Sequence, residues 1–277
     1  SRAFNIGAGR VVHLSGLIIA NGNESAGYGG GILNYGSLTI DDSIIQYCQA
    51  ANDGGAVMSW GPSLILYNCL IRHNTASHGG AVSSYSHTFT ANYCFFRSNN
   101  ATSAVGAIFT NLTENSLNAN DCYFLANSSG ISGSAVFSYV NTTLRRCTFA
   151  ENVAGSRGAI EIQYGRLAAE NCTWTSNQSE SGGAVFLANT PTNYFQHCTI
   201  VGNSASVGGG GIALEFSTAT VQNSIIAGNT APNGPDAYGP DVDGTFNSLG
   251  YNLIGKSDGS LGWNWNGSDL IGTIASP

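Results

Sequence analysis

The acidic side chains are the first residues to test for chemistry, and few of them are grouped. Asp41 and Asp42 are adjacent within a segment of β-forming residues. Hydrolysis of a glycosidic bond requires two carboxyl groups that converge on that bond, whereas successive side chains of a strand point to opposite faces. The pair therefore does not predict a hydrolase, and we assign no catalytic residue.

A second acidic group consists of Asp236, Asp241 and Asp243. Three carboxylates this close together can ligate calcium through oxygen. Their spacing does not match an EF-hand loop, and aspartates beside Pro and Gly are typical of turns. We therefore predict no metal or other cofactor, with calcium at these three residues as the alternative.

Two arginines, Arg72 and Arg97, are 25 residues apart and could together hold an acidic sugar. No acidic cluster accompanies them, and the Asn-x-Asp, Gly-His-Gly and Arg-x-Lys motifs that polygalacturonases carry are absent. We interpret the two arginines as a solvated surface pair. An enzyme that acts on polysaccharide, as a lyase or a hydrolase, is kept as an alternative.

Charge and composition exclude other classes of protein. Nine basic residues against sixteen acidic ones give a net charge of -7, so the chain lacks the basic patch that a nucleic acid requires. No run of eighteen apolar residues occurs, so we predict no membrane-spanning segment. The charged fraction of 9% and the 37 glycines favour a turn-rich β structure over salt-bridged helices.

An internal repeat organises the chain. One recurring phrase is Gly-Gly-Ala-Val, as at 54–57, 79–82 and 182–185, and the other is Cys-x-(Phe/Ile/Trp)-x-x-Asn. The second phrase has anchors at positions 16, 43, 69, 94, 122, 147, 172, 198 and 224, which are 25 to 28 residues apart. Each unit contains three short apolar runs bounded by Gly, Asn, Ser or Pro, which indicates three strands.

A unit of three strands cannot bury its apolar side alone, so successive units must stack and pair equivalent strands in parallel. The repeat thus predicts an all-β fold, a parallel β-solenoid of nine to ten coils of about 25 residues. We expect a single domain over 1–277, with an N-terminal coil at 1–20, regular coils at 21–230 and irregular coils at 231–277.

The two phrases resemble the tetrapeptide repeats of polymorphic membrane protein autotransporters, whose passengers are right-handed β-helices. The segment 223–255 is similar to the end of the β-helix in secreted choice-of-anchor domain proteins. The resemblance covers about residues 11 to 275. It implies a right-handed parallel β-helix on a cell surface or outside the cell, and it implies no chemistry.

Residues repeated at the coil period must form rows along the axis. The asparagine row is predicted to stabilise a corner through amide hydrogen bonds, and it contains Asn21, Asn74, Asn99, Asn127, Asn152, Asn177, Asn203 and Asn229. The cysteine row is predicted to consist of buried free thiols that act as small hydrophobic groups, because parallel Cβ vectors suit neither a disulfide nor tetrahedral zinc. It contains Cys69, Cys94, Cys122, Cys147, Cys172 and Cys198.

Strand alternation also predicts an apolar outer face that follows each Gly-Gly-Ala-Val phrase. Its aromatic members include Tyr35, Trp60, Tyr85, Phe109, Phe137 and Tyr139. A contiguous apolar face usually marks a contact surface, for another copy of the chain, another surface protein or a polysaccharide. The alternative is that a flanking loop covers these side chains.

These observations lead to the hypothesis of an extracellular structural or adhesive surface protein that assembles into rods or filaments. The alternatives are a polysaccharide-active enzyme and a carbohydrate-binding module.

Overall fold

The computed structural model describes residues 1–111, 116–233, 237–238, 244–263, 267–273 and 275. Within them the chain winds into coils, and every strand pairs in parallel with its equivalents one coil away. Leu64, for example, pairs with Leu38 on one side and with Phe89 on the other. The structure is the expected all-β parallel solenoid.

The strands form four sheets, which we name A to D. Sheet A contains Phe4–Ile6, Ile32–Asn34, Val57–Ser59, Val82–Ser84, Ile108–Thr110, Val136–Ser138, Ile160–Gln163, Val185–Ala188, Ile212–Glu215 and Ala237–Tyr238. Sheet B contains Val11–Ser15, Ser37–Asp41, Ser63–Tyr67, Thr88–Asn92, Ser116–Asn120, Asn141–Arg145, Leu167–Glu170, Asn193–Gln196, Ser217–Gln222 and Gly244–Ser248. Sheet C contains Ile18–Ala20, Ile44–Gln46, Leu70–Arg72, Phe95–Arg97, Tyr123–Leu125, Thr148–Ala150, Thr173–Thr175, Thr199–Val201, Ile225–Ala227, Leu253–Ile254 and Leu270–Ile271. Sheet D contains Asn23–Glu24, Gln49–Ala50, Thr75–His78, Asn100–Ala104, Ser128–Ser129, Val153–Ala154, Gln178–Ser181 and Ser204–Gly208.

Sheets A, B and C contain the three strands per coil that the repeat predicts, and sheet D adds a fourth strand to most coils. The sequence gives little indication of this fourth strand, because its side chains are small or polar and do not alternate with apolar ones. Examples are Thr75–His78 and Gln178–Ser181. Coil stacking supplies parallel backbone partners to these segments whatever their side chains are.

The interior of the solenoid is apolar and continuous along the axis. In sheet C the central residue of each strand points inward, and four successive rings stack with centroid distances of 4.8, 4.6 and 5.3 Å and interplanar angles of 5° to 7°. These rings are Phe96, Phe124, Phe149 and Trp174. None of the described residues forms a helix long and apolar enough to span a membrane.

The asparagine row forms a hydrogen-bonded column at the corner between sheets C and D. Asn127 donates from Nδ2 to the Asn152 Oδ1 atom at 3.0 Å, and its own Oδ1 accepts the backbone N–H of Asn99 at 3.0 Å. The pattern repeats from Asn74 to Asn229, and these side chains are fully buried. Each amide therefore satisfies backbone groups that the corner leaves unpaired.

Asn21 does not belong to this column. Ile18–Ala20 pairs with Ile44–Gln46, which aligns Asn21 with Tyr47 rather than with the following residue. Both residues have positive φ angles, 58° for Asn21 and 54° for Tyr47. The sequence alignment of the first coil is thus wrong by one residue, because Leu17, not Gly16, occupies the position of Ser43 and Cys69.

The six cysteines of the predicted row and Cys48 are free and buried. The thiols are not merely apolar filling: Cys122 Sγ donates to the Asn120 carbonyl at 3.2 Å, and Cys172 Sγ accepts the N–H of Cys147 at 3.5 Å. Ser43 and Ser224 make the same contacts in their own coils. Burial raises the pKa of the Cys198 thiol to about 12, so this thiol stays protonated and unreactive at neutral pH.

Glycines make the sharp corner between sheets D and A. Gly79 has a φ of +59°, and a Cβ on Gly80 would lie 2.3 Å from the Asn100 carbonyl oxygen of the next coil. In the following coil the positive φ of 68° belongs to Val105, which is a strained conformation for a β-branched residue. This corner folds the outer face of sheet A towards sheet D.

Candidate functional site

The corner between sheets D and A creates a cleft on the outside of the solenoid, which we call the A–D cleft. One of its cavities, of about 330 Å³, is lined by Asp53 and His78 from the sheet D side and by Tyr85 and Phe109 from the sheet A side. Its floor is the outer row of sheet A that strand alternation predicts. The alternation that buries one set of side chains in the core therefore places the other set in this cleft.

The floor of the cleft is more enclosed than the sequence suggests. Phe109 and Phe137, which alternation places on the outer face, are only 8% and 7% exposed. They pack with Val105 in a cluster separate from the main core, and Tyr85 and Tyr139 pack against that cluster. The two phenylalanines lie on the outer side of sheet A, and the sheet D side of the corner covers them, which is the alternative of a covering segment.

Partly exposed rings remain above this floor at the N-terminal end of the cleft. Trp60 lies 5.3 Å from the Tyr35 ring at an interplanar angle of 17°, 5.0 Å from the Tyr28 ring at 74°, and 6.3 Å from the Tyr85 ring. Tyr28 and Tyr35 are 38% and 42% exposed. Four rings from neighbouring coils thus form a continuous aromatic surface along the axis.

An ion pair forms the polar wall opposite these rings. Asp53 Oδ1 lies 2.9 Å from His78 Nδ1, and the two residues are bridged in parallel on adjacent coils. The hydrogen bond to Asp53 raises the pKa of His78 above its ordinary value of 6.5, against an opposing effect of burial. Burial raises the pKa of the Tyr85 phenol, and the negative charge of Asp53 raises it further. The cavity therefore combines aromatic faces with groups that can donate and accept hydrogen bonds.

The raised pKa of His78 gives a testable dependence on pH. The pair stabilises the folded state fully below the pKa of an unfolded histidine, near 6.5, and this contribution is lost as the pH rises through the higher folded value. We expect Asp53→Asn to lower the His78 pKa measured by NMR titration, whereas Asp42→Asn, on another corner, leaves it unchanged. An unshifted His78 pKa in Asp53→Asn would show that the ion pair does not form.

A second polar group lies further along the same cleft. Glu161 is fully buried, and its Oε1 accepts hydrogen bonds from Gln163 Nε2 at 2.6 Å and Arg157 Nη1 at 3.2 Å. Arg157 also lies 3.5 Å from a Glu215 oxygen, and its guanidinium carbon is 4.6 Å from the centre of the Phe186 ring. The second carboxylate oxygen of Glu161 has no hydrogen-bond partner among the described residues.

The other residues with candidate chemistry lie away from the cleft. Arg72 and Arg97 pair on neighbouring strands of sheet C, and Arg72 donates two hydrogen bonds to Gln46 Oε1. Asp41 accepts hydrogen bonds from Ser15 and His13, which lower its pKa, and Asp42 accepts one from Asn68 at 2.7 Å.

The calcium candidates Asp236, Asp241 and Asp243 lie outside the described residues. Within the part of the chain that the structure describes, no group of three or more His, Cys, Asp or Glu side chains is arranged to hold a metal ion.

Sequence reasoning did not single out the polar residues of the cleft. Asp53 and His78 precede the glycine corner in adjacent coils, and Arg157 does so three coils further on. Glu161 and Glu215 occupy outer positions of sheet A. A coil-by-coil alignment of the residues before each glycine corner identifies these positions, although their residue types vary from coil to coil.

Comparison with known proteins supports the fold. Residues 132–254 match the family model described as right handed beta helix region. Neither the curated proteins nor the solved structures contain a match to the chain. Together, the family match and the parallel sheets show that the chain is an all-β, right-handed parallel β-helix, a fold that surface proteins share with polysaccharide-active enzymes.

Proposed function

We propose that the chain is an adhesive β-helix of a cell surface or the extracellular space, and that its A–D cleft binds polysaccharide. The observation that carries this proposal is the continuous aromatic surface of Tyr28, Tyr35, Trp60 and Tyr85. Sugar rings present C–H faces that pack on aromatic rings and hydroxyl groups that need polar partners. The Asp53–His78 pair supplies such partners across the same cavity.

The shape of the cleft also suits a linear polymer. The cleft runs along the axis of the solenoid, so equivalent residues in its lining recur with the strand spacing of about 4.8 Å. A polysaccharide lying along it would meet an aromatic ring on each of several successive coils. The resemblance of the repeats to autotransporter passengers and choice-of-anchor domain proteins supports a surface or secreted location, and assembly with copies of the chain stays a prediction.

Replacement of Trp60 by alanine tests the proposal. Trp60 contacts three other rings of the surface, so we expect its loss to weaken glycan binding by about 2 kcal/mol, or about 30-fold. Binding would first be located on a glycan array and then measured by calorimetry. Tyr123→Ala is the control, because Tyr123 is exposed and stacks on Phe95 at 5.6 Å on the outer face of sheet C. Equal losses in the two variants, or none with Trp60→Ala, would contradict the assignment of the cleft.

A polysaccharide hydrolase is the second candidate, and the carboxylates of Glu161 and Glu215 favour it. They share Arg157 within the cleft, and one oxygen of Glu161 is buried without a partner. Incubating the protein with the polysaccharide that it binds and measuring new reducing ends separates the two functions. Turnover that Glu161→Gln abolishes would establish the enzyme, whereas binding without product supports the adhesive function.

A further inference from the structure

A second concave site lies on the outer face of sheet B, away from the A–D cleft. It is a cavity of about 290 Å³ lined by Arg145, Arg166, Ala168, Glu170, Tyr194 and Gln196, among others. Ala168 pairs with Thr143 on one neighbouring strand and with Tyr194 on the other. The small side chain of Ala168 lies between the larger side chains of Thr143 and Tyr194, which leaves a depression in the row.

The charges around this cavity are not balanced. The Arg166 guanidinium lies 5.1 Å from the centre of the Tyr194 ring, and Arg166 has no ion-pair partner among the residues that the structure describes. Arg145 contacts Glu170 through Nε at 3.2 Å, and both side chains of that pair are about half exposed. Two arginines and one glutamate give the lining a charge of +1, in a chain whose net charge is -7.

The geometry of these groups selects the kind of ligand. A guanidinium presents parallel N–H donors that match a carboxylate, and contact with the Tyr194 ring restrains the orientation of Arg166. Ala168 and Tyr194 offer apolar surface to a sugar ring, while Gln196 and Thr143 offer polar atoms to its hydroxyl groups. The cavity volume of about 290 Å³ lies near the lower end of the range of small-molecule sites.

We propose that this cavity binds a carboxylate-bearing sugar, a uronate residue of an acidic glycan, with Arg166 on the carboxylate. The site does not depend on the A–D cleft, because it lies on a different sheet. It gives the β-helix a second, charge-selective contact with polysaccharide.

The test is calorimetric binding of trigalacturonate, with its fully methyl-esterified form and inorganic sulfate as separate probes. We expect Arg166→Gln to weaken trigalacturonate binding at least tenfold and Ala168→Leu to do so by filling the cavity. Arg146→Gln is the matched control, because it removes the same charge from an arginine already paired with Asp121 at 2.7 Å. We expect this control to leave the binding unchanged.

The outcomes separate the site from its rivals. Binding of the acid form that is lost in Arg166→Gln and Ala168→Leu, and absent for the methyl ester, supports the proposal. Equal binding of the ester shows that the carboxylate is not recognised, and competition by sulfate at similar concentration shows a general anion site; either result overturns it. So does an equal loss in Arg146→Gln, or no binding of trigalacturonate to the intact protein.

Discussion

Replacing Phe149 with alanine is expected to lower the free energy of unfolding by about 3 to 5 kcal/mol. The Phe149 ring is fully buried between Phe124 at 4.6 Å and Trp174 at 5.3 Å. Its neighbours are held on strands of adjacent coils, so they cannot move together to fill the cavity. The change would be measured by guanidinium unfolding followed by circular dichroism.

Phe95→Ala is the matched control for this prediction. Phe95 also contacts another ring, that of Tyr123, but it lies half-buried on the outer face of the same sheet. We expect it to cost well under half as much as Phe149→Ala. Similar costs for the two variants would mean that the interior stack does not carry the stability of the coil.

Asn127→Ala is expected to have the second-largest effect, about 2 to 4 kcal/mol of lost stability. The substitution leaves the buried backbone N–H of Asn99 without its acceptor and removes the amide contacts to Asn99 and Asn152. These side chains are fully buried, so the groups left unpaired lie away from bulk solvent. Unfolding would be measured as for Phe149→Ala.

Asn118→Ala serves as the control for the asparagine column. Asn118 is on the outer face of sheet B and is partly exposed, so its replacement should change stability by less than about 0.5 kcal/mol. If Asn127→Ala lowered the free energy of unfolding by as little as Asn118→Ala, the asparagine column would not stabilise the stacking of the coils.

The coil repeat could be predicted because each repeated residue has one physical task. Asn127 and its equivalents accept backbone N–H groups at a corner, and Cys122 and its equivalents donate to the carbonyl two residues earlier. Gly80 lies close to the backbone of the next coil, where a Cβ atom has no room. The register of the first coil could not be predicted, because neither Gly16 nor Leu17 is the cysteine that marks this position in later coils. Only the pairing of Ile18–Ala20 with Ile44–Gln46 shows that Leu17 is the equivalent residue.

The candidate site could be predicted only in part. Alternation placed Trp60 and Tyr85 on the outer face correctly, but it gave no information on what lies opposite them. The backbone geometry at the glycine corner sets the angle between sheets D and A. That angle determines that Phe109 is covered and that His78 and Tyr85 line the same cavity. Polar residues such as Arg157 occur once in the row, so they leave no periodic signal.

Oxidative footprinting of the aromatic side chains, with and without a bound polysaccharide, tests the central proposal most directly. We expect the glycan to protect Tyr28, Tyr35, Trp60 and Tyr85 from modification. Exposed tyrosines outside the cleft, such as Tyr67, Tyr93 and Tyr123, should be modified equally in both samples. Protection of the outer tyrosines with no protection at Trp60 would place the glycan elsewhere and contradict the assignment of the A–D cleft.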